Sequence, residues 1–291
     1  MTARRRETRI QFLRPRQIVE RLKAAPVVYV PVGPLEWHGP HMPYGTDPLN
    51  AENMALRACA KTGGVVWPTE FWGTERERTT AQLASLGFPK GKYVVGMDFP
   101  KNLIPSSYCP EEIFALVVRE ILREIIALGA RAAVIVNGHG GENHMRVLHR
   151  LETEFNNTTD LRVFVRVAAP RRLFETGSGE HAARTETSVM MHAYPECVDI
   201  RELPPASRRM KYTDWAVVDG PGFDGKARGN GYLTKEEDPR LTASRALGKA
   251  YVEKAVREIA AEVKEILRSV KRGRRNQKIT TKFTRGTKNT L

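Results

Sequence analysis

The chain has 291 residues, 41% of them hydrophobic, enough to fill one large α/β core or two small ones. No apolar run reaches membrane-spanning length, and the basic N-terminus lacks the apolar stretch of a secretory signal, so neither a membrane protein nor an exported one is expected. The formal net charge of +14 invites a nucleic-acid partner, but residues 1–16 carry +5 of it and residues 268–291 carry +9, leaving the stretch between them electrically balanced.

The expected organisation is therefore a basic extension over 1–14, one folded domain over 15–267, and a basic tail over 268–291. The tail has too little apolar content to pack and is expected to be disordered. Its foremost alternative role is weak contact with nucleic acid or another polyanion. Cys59, Cys109 and Cys197 are odd in number and form no CxxC pair, which argues against a disulfide framework and for a reducing cytoplasm.

Taken in order, Pro15 to Ala25 has helical spacing at Ile18, Val19 and Leu22. Val27–Val32 is a short β-branched run that reads as a buried strand. A helix is predicted over Pro48–Ala60, ended by Gly63-Gly64, and a second strand over Val65–Trp67. Residues 69–110 are irregular and aromatic-rich, with Phe71, Trp72, Tyr93, Phe99 and Tyr108. Such a long loop inside a compact domain covers a substrate pocket or a neighbouring subunit.

Glu111–Leu128 has a strong 3.6-residue apolar period with Gly129 as its cap. Ala132–Val136 is wholly apolar, as in the middle of a parallel sheet. A helix is predicted from about His144, a strand over Leu161–Ala168, and a helix opening at Thr185 or Thr187. Residues 200–240, with Trp215, read as irregular, and Leu241–Val270 as a closing amphipathic helix. Strands and helices alternating at this length predict an α/β fold: a three-layer α/β/α sandwich with a mostly parallel central sheet. Ligands bind such sheets beyond the carboxyl ends of the strands.

Three motifs sit where that rule points. The first strand runs into Pro31-Val-Gly-Pro-Leu-Glu36-Trp-His38-Gly-Pro-His41-Met-Pro43 and then Asp47. In extended backbone, Glu36 and His38 share one face, and a Pro/Gly-rich loop can return Asp47 to the same point. Two carboxylates and an imidazole suit a divalent ion such as Zn or Mn. The competing role for Asp47 is a helix N-cap. The second motif, Asn137-Gly-His139-Gly-Gly-Glu142, follows the buried strand and offers the N–H groups of Gly140 and Gly141 to an oxyanion. The third, His181-Ala-Ala-Arg-Thr-Glu186-Thr-Ser188, places His181 and Glu186 ahead of or at a helix start, where capping or turn roles compete with chemical ones.

Together these motifs resemble the creatininase family of metal-dependent amidohydrolases, in order and approximate spacing, over roughly residues 15–265. The resemblance implies a catalytic domain over 15–267, two divalent metal ions (Zn and/or Mn), and a homo-oligomer, often a hexamer. It implies that Asp47 bridges the ions, that Glu36 and His139 hold one, and that His38 helps to hold the other. Glu142 and Glu186 compete to complete the second site. The assignment carried forward makes Glu142 a ligand and Glu186, with His181, catalytic. Gly140, Gly141 and Trp72 are expected at the substrate. The implied reaction is hydrolysis of a non-peptide C–N bond, in a cyclic amide or formamide, through a metal-bound hydroxide. The alternative is a catalytically inactive relative whose basic ends hold nucleic acid.

Two departures bear on the substrate. Members close to creatininase itself carry a glutamate two residues after the histidine matching His139, where this chain has Gly141, and tryptophans just before the third motif, where residues 160–180 have none. Creatinine is therefore not the expected substrate. Other branches of the family deformylate a formamidopyrimidine nucleotide or trim the mycofactocin precursor. Arg166, Arg171, Arg172 and Arg184 would suit an anionic, phosphorylated substrate.

Overall fold

A computed structural model describes residues 7–91, 95–96, 98–100, 102–171, 181–213, 216–217 and 231–286 and, within the last helix, side chains as far as residue 270. Tyr93, Arg172 and Trp215 lie outside the described residues.

The centre is a four-stranded sheet, wholly parallel, built from β1 (Val27–Val32), β2 (Val65–Val66), β3 (Ala132–Asn137) and β4 (Arg162–Val167) in the spatial order β2-β1-β3-β4. β1 and β3 are buried along their whole length. That burial is why they read as continuous apolar runs rather than as alternating ones.

The alternation lies instead in which layer each side chain meets. Val28, Val30, Val32, Ala133, Ile135, Val163 and Val165 pack on one face against α1 (Pro15–Ala24), α4 (Glu111–Ala127) and α5 (Glu142–Thr158). Val27, Tyr29, Ala132, Val134, Val136 and Phe164 pack on the other face against α2 (Thr46–Thr62) and the last helix. Two apolar faces covered by helices make the expected three layers. A fully buried aliphatic side chain such as Leu148 or Ile135 contributes about 2 kcal/mol to holding them together.

Several boundaries shift from the sequence reading. α2 begins at Thr46, so Asp47 lies inside its first turn and Gly45 takes the N-cap position. α4 is capped by Leu128, with Gly129 just beyond it at φ 78°. α5 starts at Glu142, two residues before the predicted start. The irregular 69–110 segment contains one short helix, α3 (Thr80–Leu86). α6 spans Arg184–Ala193, and a small antiparallel pair, β5 (Tyr212–Thr213) and β6 (Ala216–Val217), follows.

The predicted helix from Leu241 is two helices, α7 (Pro239–Thr242) and α8 (Arg245–Gly286). α8 continues well past residue 268, where a disordered tail was expected. Lys, Arg and Gln are good helix formers, so the helical backbone outlasts the apolar stripe that marked it. All three cysteines are free. Among the described residues no helix is long and apolar enough to cross a membrane.

Candidate metal centre

The strand order creates the site. The chain passes from β1 to β2 on one side and returns to β3 on the other, so the crevice between the ends of β1 and β3 is the topological switch point. The loop after β1 delivers Glu36 and His38 there, and the loop after β3 delivers His139. Asp47 arrives from the first turn of α2, which can approach because two neighbours have no side chain. A Cβ on Gly33 would lie 2.8 Å from Asp47 Cβ, and one on Gly138 would lie 2.1 Å from the Asp47 carbonyl oxygen.

Three ligand groups result: Glu36, Asp47 and His139; His38, Asp47 and Glu186; and Glu36, His38 and His181. Asp47 spans the first two. Its Oδ2 lies 3.2 Å from His139 Nδ1 and its Oδ1 lies 3.1 Å from His38 Nε2. Glu36 Oε2 is 3.2 Å from His139 Nδ1, and Glu186 Oε2 is 3.8 Å from His38 Nε2. Glu36, His38, Asp47 and His139 are all buried.

The atoms are oriented as ligands. His38 Nδ1 meets the Glu36 carbonyl at 3.1 Å, where it donates, so Nε2 is the nitrogen that faces the carboxylates. His38 Nε2 and Asp47 Oδ2 are buried and meet only one another's ligand groups, at 3.1 and 3.2 Å, without a well-aligned hydrogen bond. A buried polar atom left so costs about 1–3 kcal/mol, a penalty that a coordinated cation relieves. Carboxylates mixed with imidazoles fit Zn or Mn better than Mg or Ca.

Electrostatics agree. Burial opposes charging His38, but the Asp47, Glu186 and Glu36 carboxylates outweigh it and push its pKa up to about 10. His139, likewise desolvated, is held well above the usual imidazole range by Glu36, Asp47 and Glu75. Burial works against ionised Asp47, yet the two imidazoles hold its carboxyl below the usual range. Burial raises Glu186, although its side chain keeps 30% of its surface exposed. The metal-free centre is thus a nest of carboxylates that retains protons on its histidines, and a divalent cation would replace them.

His181 Nε2 lies 2.7 Å from the Trp37 carbonyl and donates to it, which leaves Nδ1 facing Glu36 Oε2 at 4.0 Å. Its ring sits 4.2 Å from that of His38. The next residue, Ala182, has φ 56°, a left-handed conformation unusual for a residue with a Cβ. Its N–H donates to Glu186 Oε2 at 2.6 Å, so Glu186 both holds this bend and faces His38.

Not every predicted residue joins the cluster. Glu142 opens α5 with its side chain 77% exposed, 4.0 Å from Arg76. The early start of the helix turns it away from His139, and Glu186 occupies the position beside His38 and Asp47. His41 is buried but points elsewhere: its Nε2 pairs with Thr187 at 2.9 Å, pinning α6 to the β1 loop. Burial, with His38 nearby, pulls its pKa down to about 3. Gly140 is exposed, Gly141 is buried against His139, and Trp72 is half exposed on the 69–110 segment. Arg166 and Arg171 are engaged by Glu262 of α8, and Arg184 opens α6.

Sequence reasoning missed three contributors. The Tyr108 hydroxyl donates to Glu36 Oε1. Glu75 places Oε2 3.3 Å from His139 Nε2. His144, neutral because burial and His139 depress its pKa, joins Asn137 Oδ1 at 3.0 Å, and Asn137 Oδ1 accepts the His139 N–H at 3.1 Å. Tyr108 and Glu75 thus reach from the 69–110 segment to Glu36 and His139 of the same chain. Both also line a cavity of about 830 Å³, alongside Phe88, Asp98, Phe99 and Asn143.

Residues 12–263 match the family model described as creatininase, creatinine amidohydrolase. The chain is 26% identical over 259 residues to the creatinine amidohydrolase of Pseudomonas putida, covering 82% of this chain and 89% of that protein. It is 26% identical over 241 residues to the 2-amino-5-formylamino-6-ribosylaminopyrimidin-4(3H)-one 5'-monophosphate deformylase of Methanothermobacter thermautotrophicus, covering 81% and 87%. A crystal structure of creatinine amidohydrolase (creatininase) superposes with a TM-score of 0.62 at 25% identity, over 89% of this chain and 98% of that one.

Proposed function

The chain belongs to the creatininase family, and from that premise we propose that it hydrolyses a non-peptide C–N bond of a small molecule, in a cyclic amide or formamide, with two divalent ions at the β1–β3 crevice. The observation that carries this reading is Asp47, whose two oxygens each face a different histidine, each histidine belonging to a separate ligand group.

Glu36, Asp47 and His139 would hold one ion, and His38, Asp47 and Glu186 the other. Zn and Mn fit this donor set. A pair of such ions, when bound, activates water and polarises the scissile carbonyl. The protein's own part is to orient and to move protons. Tyr108 holds Glu36 in place through Oε1, which leaves Oε2 for the ion. Trp37 fixes the His181 tautomer, so Nδ1 is free to accept a proton and return it to the leaving nitrogen. The cavity bounded by Glu75 and Tyr108 is the place for the substrate.

The test is a panel of cyclic amides and formamides incubated with protein loaded with Zn or Mn, reading released amine or formate. Turnover that appears with metal and vanishes with chelator is the expected result. No turnover of any member with either metal would count against hydrolysis.

A further inference from the structure

We propose that Glu75 is the positioning residue for His139, a carboxylate sent into the metal centre by the 69–110 segment. The inference rests on the metal-binding reading above.

His139 has two ring nitrogens with different neighbours. Nδ1 faces Glu36 and Asp47 at 3.2 Å each. Nε2 is buried and makes no well-aligned hydrogen bond, and the acceptor that approaches it is Glu75 Oε2, at 3.3 Å. An imidazole that offers one lone pair to a cation must carry its proton on the other nitrogen. A carboxylate there fixes that tautomer, holds the ring plane and makes the ligand more basic. Glu75 is placed for this, with its side chain only 8% exposed.

Its own position is set from three sides. Oε1 accepts the Arg76 N–H at 2.6 Å, so the carboxylate has one oxygen anchored and the other presented. The preceding N–H, of Thr74, donates to His144 Nδ1 at 3.3 Å. His144 in turn holds Asn137, which clamps the His139 backbone. Gly73 packs on Pro34 so closely that a Cβ there would stand 2.7 Å from the ring. The same histidine thus ties down both the Glu75 loop and the His139 loop.

Gly141 supplies the space. A Cβ at 141 would lie 2.3 Å from Glu75 Oε2 and 2.5 Å from His139 Nε2. The Glu75 carboxylate therefore fills the volume that any side chain at 141 would take. A substitution at either position should disturb His139, although neither residue is itself a member of the ligand groups.

The experiment measures the Zn dissociation constant by competition with a chromophoric chelator, for metal-stripped wild type, Glu75→Gln and Glu75→Ala, with thermal unfolding of the metal-free proteins alongside. The tighter of two binding steps should weaken by roughly 10–100-fold in Glu75→Ala, the usual cost of losing such a partner. Glu75→Gln keeps an acceptor oxygen without the charge and should fall between. If the alanine variant does not fold, the isosteric glutamine variant decides, and an affinity equal to wild type overturns the proposal. A variant that lowers the metal-free melting temperature but leaves the dissociation constant unchanged also overturns it, because Glu75 would then only support the fold. Wild type that takes up no Zn overturns the metal reading and this inference together, whereas wild type that binds and is matched by Glu75→Ala overturns this inference alone.

Discussion

Two regions meet at the candidate metal centre, and they are built differently. The floor comes from the ends of β1 and β3 and the first turns of α2 and α6: Glu36, His38 and His139 stand on short loops just beyond buried strands, and Asp47 and Glu186 on helices. The wall comes from residues 69–110, whose described residues include one seven-residue helix and are otherwise irregular. The floor holds the candidate ligands, and the wall brings up the groups beside them: Tyr108 on Glu36 and Glu75 near His139. Regular structure gives precision to atoms that must converge on one point, and a loop can reach around them from outside.

That division can be tested by removing parts from each side. Floor changes should cost most. His38→Ala removes a ligand and, with it, several kcal/mol of stabilisation at the reacting centre. Hydrolysis should then fall on the order of 10³-fold while the far-ultraviolet circular dichroism is retained. A variant with half of its activity intact would mean that His38 is not a ligand.

A wall change should cost less. Tyr108→Phe deletes one hydrogen bond to a charged group, worth about 1.5–3 kcal/mol, so metal affinity should drop by roughly 10–100-fold with little change in the circular dichroism spectrum. An unchanged dissociation constant would detach the wall from the centre.

The acid–base balance gives a further comparison, between the loaded and empty floor. His38 and His139 hold protons above their ordinary pKa, His38 up to about 10. Metal binding must displace those protons, so affinity should rise with pH across the neutral range and calorimetry in buffers of different ionisation enthalpy should show proton release. For the metal-free protein the sign is opposite. Because the folded pKa is raised, stability from these charged pairs is complete below the unfolded value near 6.5 and is lost as pH rises through about 10. Flat affinity from pH 6 to 8 would contradict this.

The smallest effect belongs to a residue outside both regions. Glu142→Ala should change metal affinity by less than about twofold, since its side chain is solvent-facing. A large loss there would move the second site back to the α5 terminus.

What the sequence disclosed follows the same division. β1 and β3 were legible because complete burial leaves an unbroken apolar run, and Glu36, His38 and His139 because they follow such runs directly. Asp47 was legible as a candidate, but its release from a capping role depended on α2 starting two residues earlier, at Thr46. Glu142 stands exposed at the first residue of α5, a helix that starts two residues earlier than the periodicity placed it. Glu75 was hidden in Glu75-Arg-Glu-Arg78, an alternating charge run that reads as a solvated surface. Only the Gly73–Pro34 and Thr74–His144 contacts, neither local in sequence, turn it inward. Beyond 268 the relation is the converse: helical propensity persists where the apolar period stops.

The most direct measurement is metal content per chain, by plasma mass spectrometry, for wild type and Asp47→Ala purified without chelator and again after loading with Zn or Mn. Close to two ions per wild-type chain, with both lost when Asp47 is removed and the melting transition still cooperative, is the result this account predicts. Stoichiometry that is unchanged in Asp47→Ala, or a wild-type chain that takes up no metal even after loading, would contradict it.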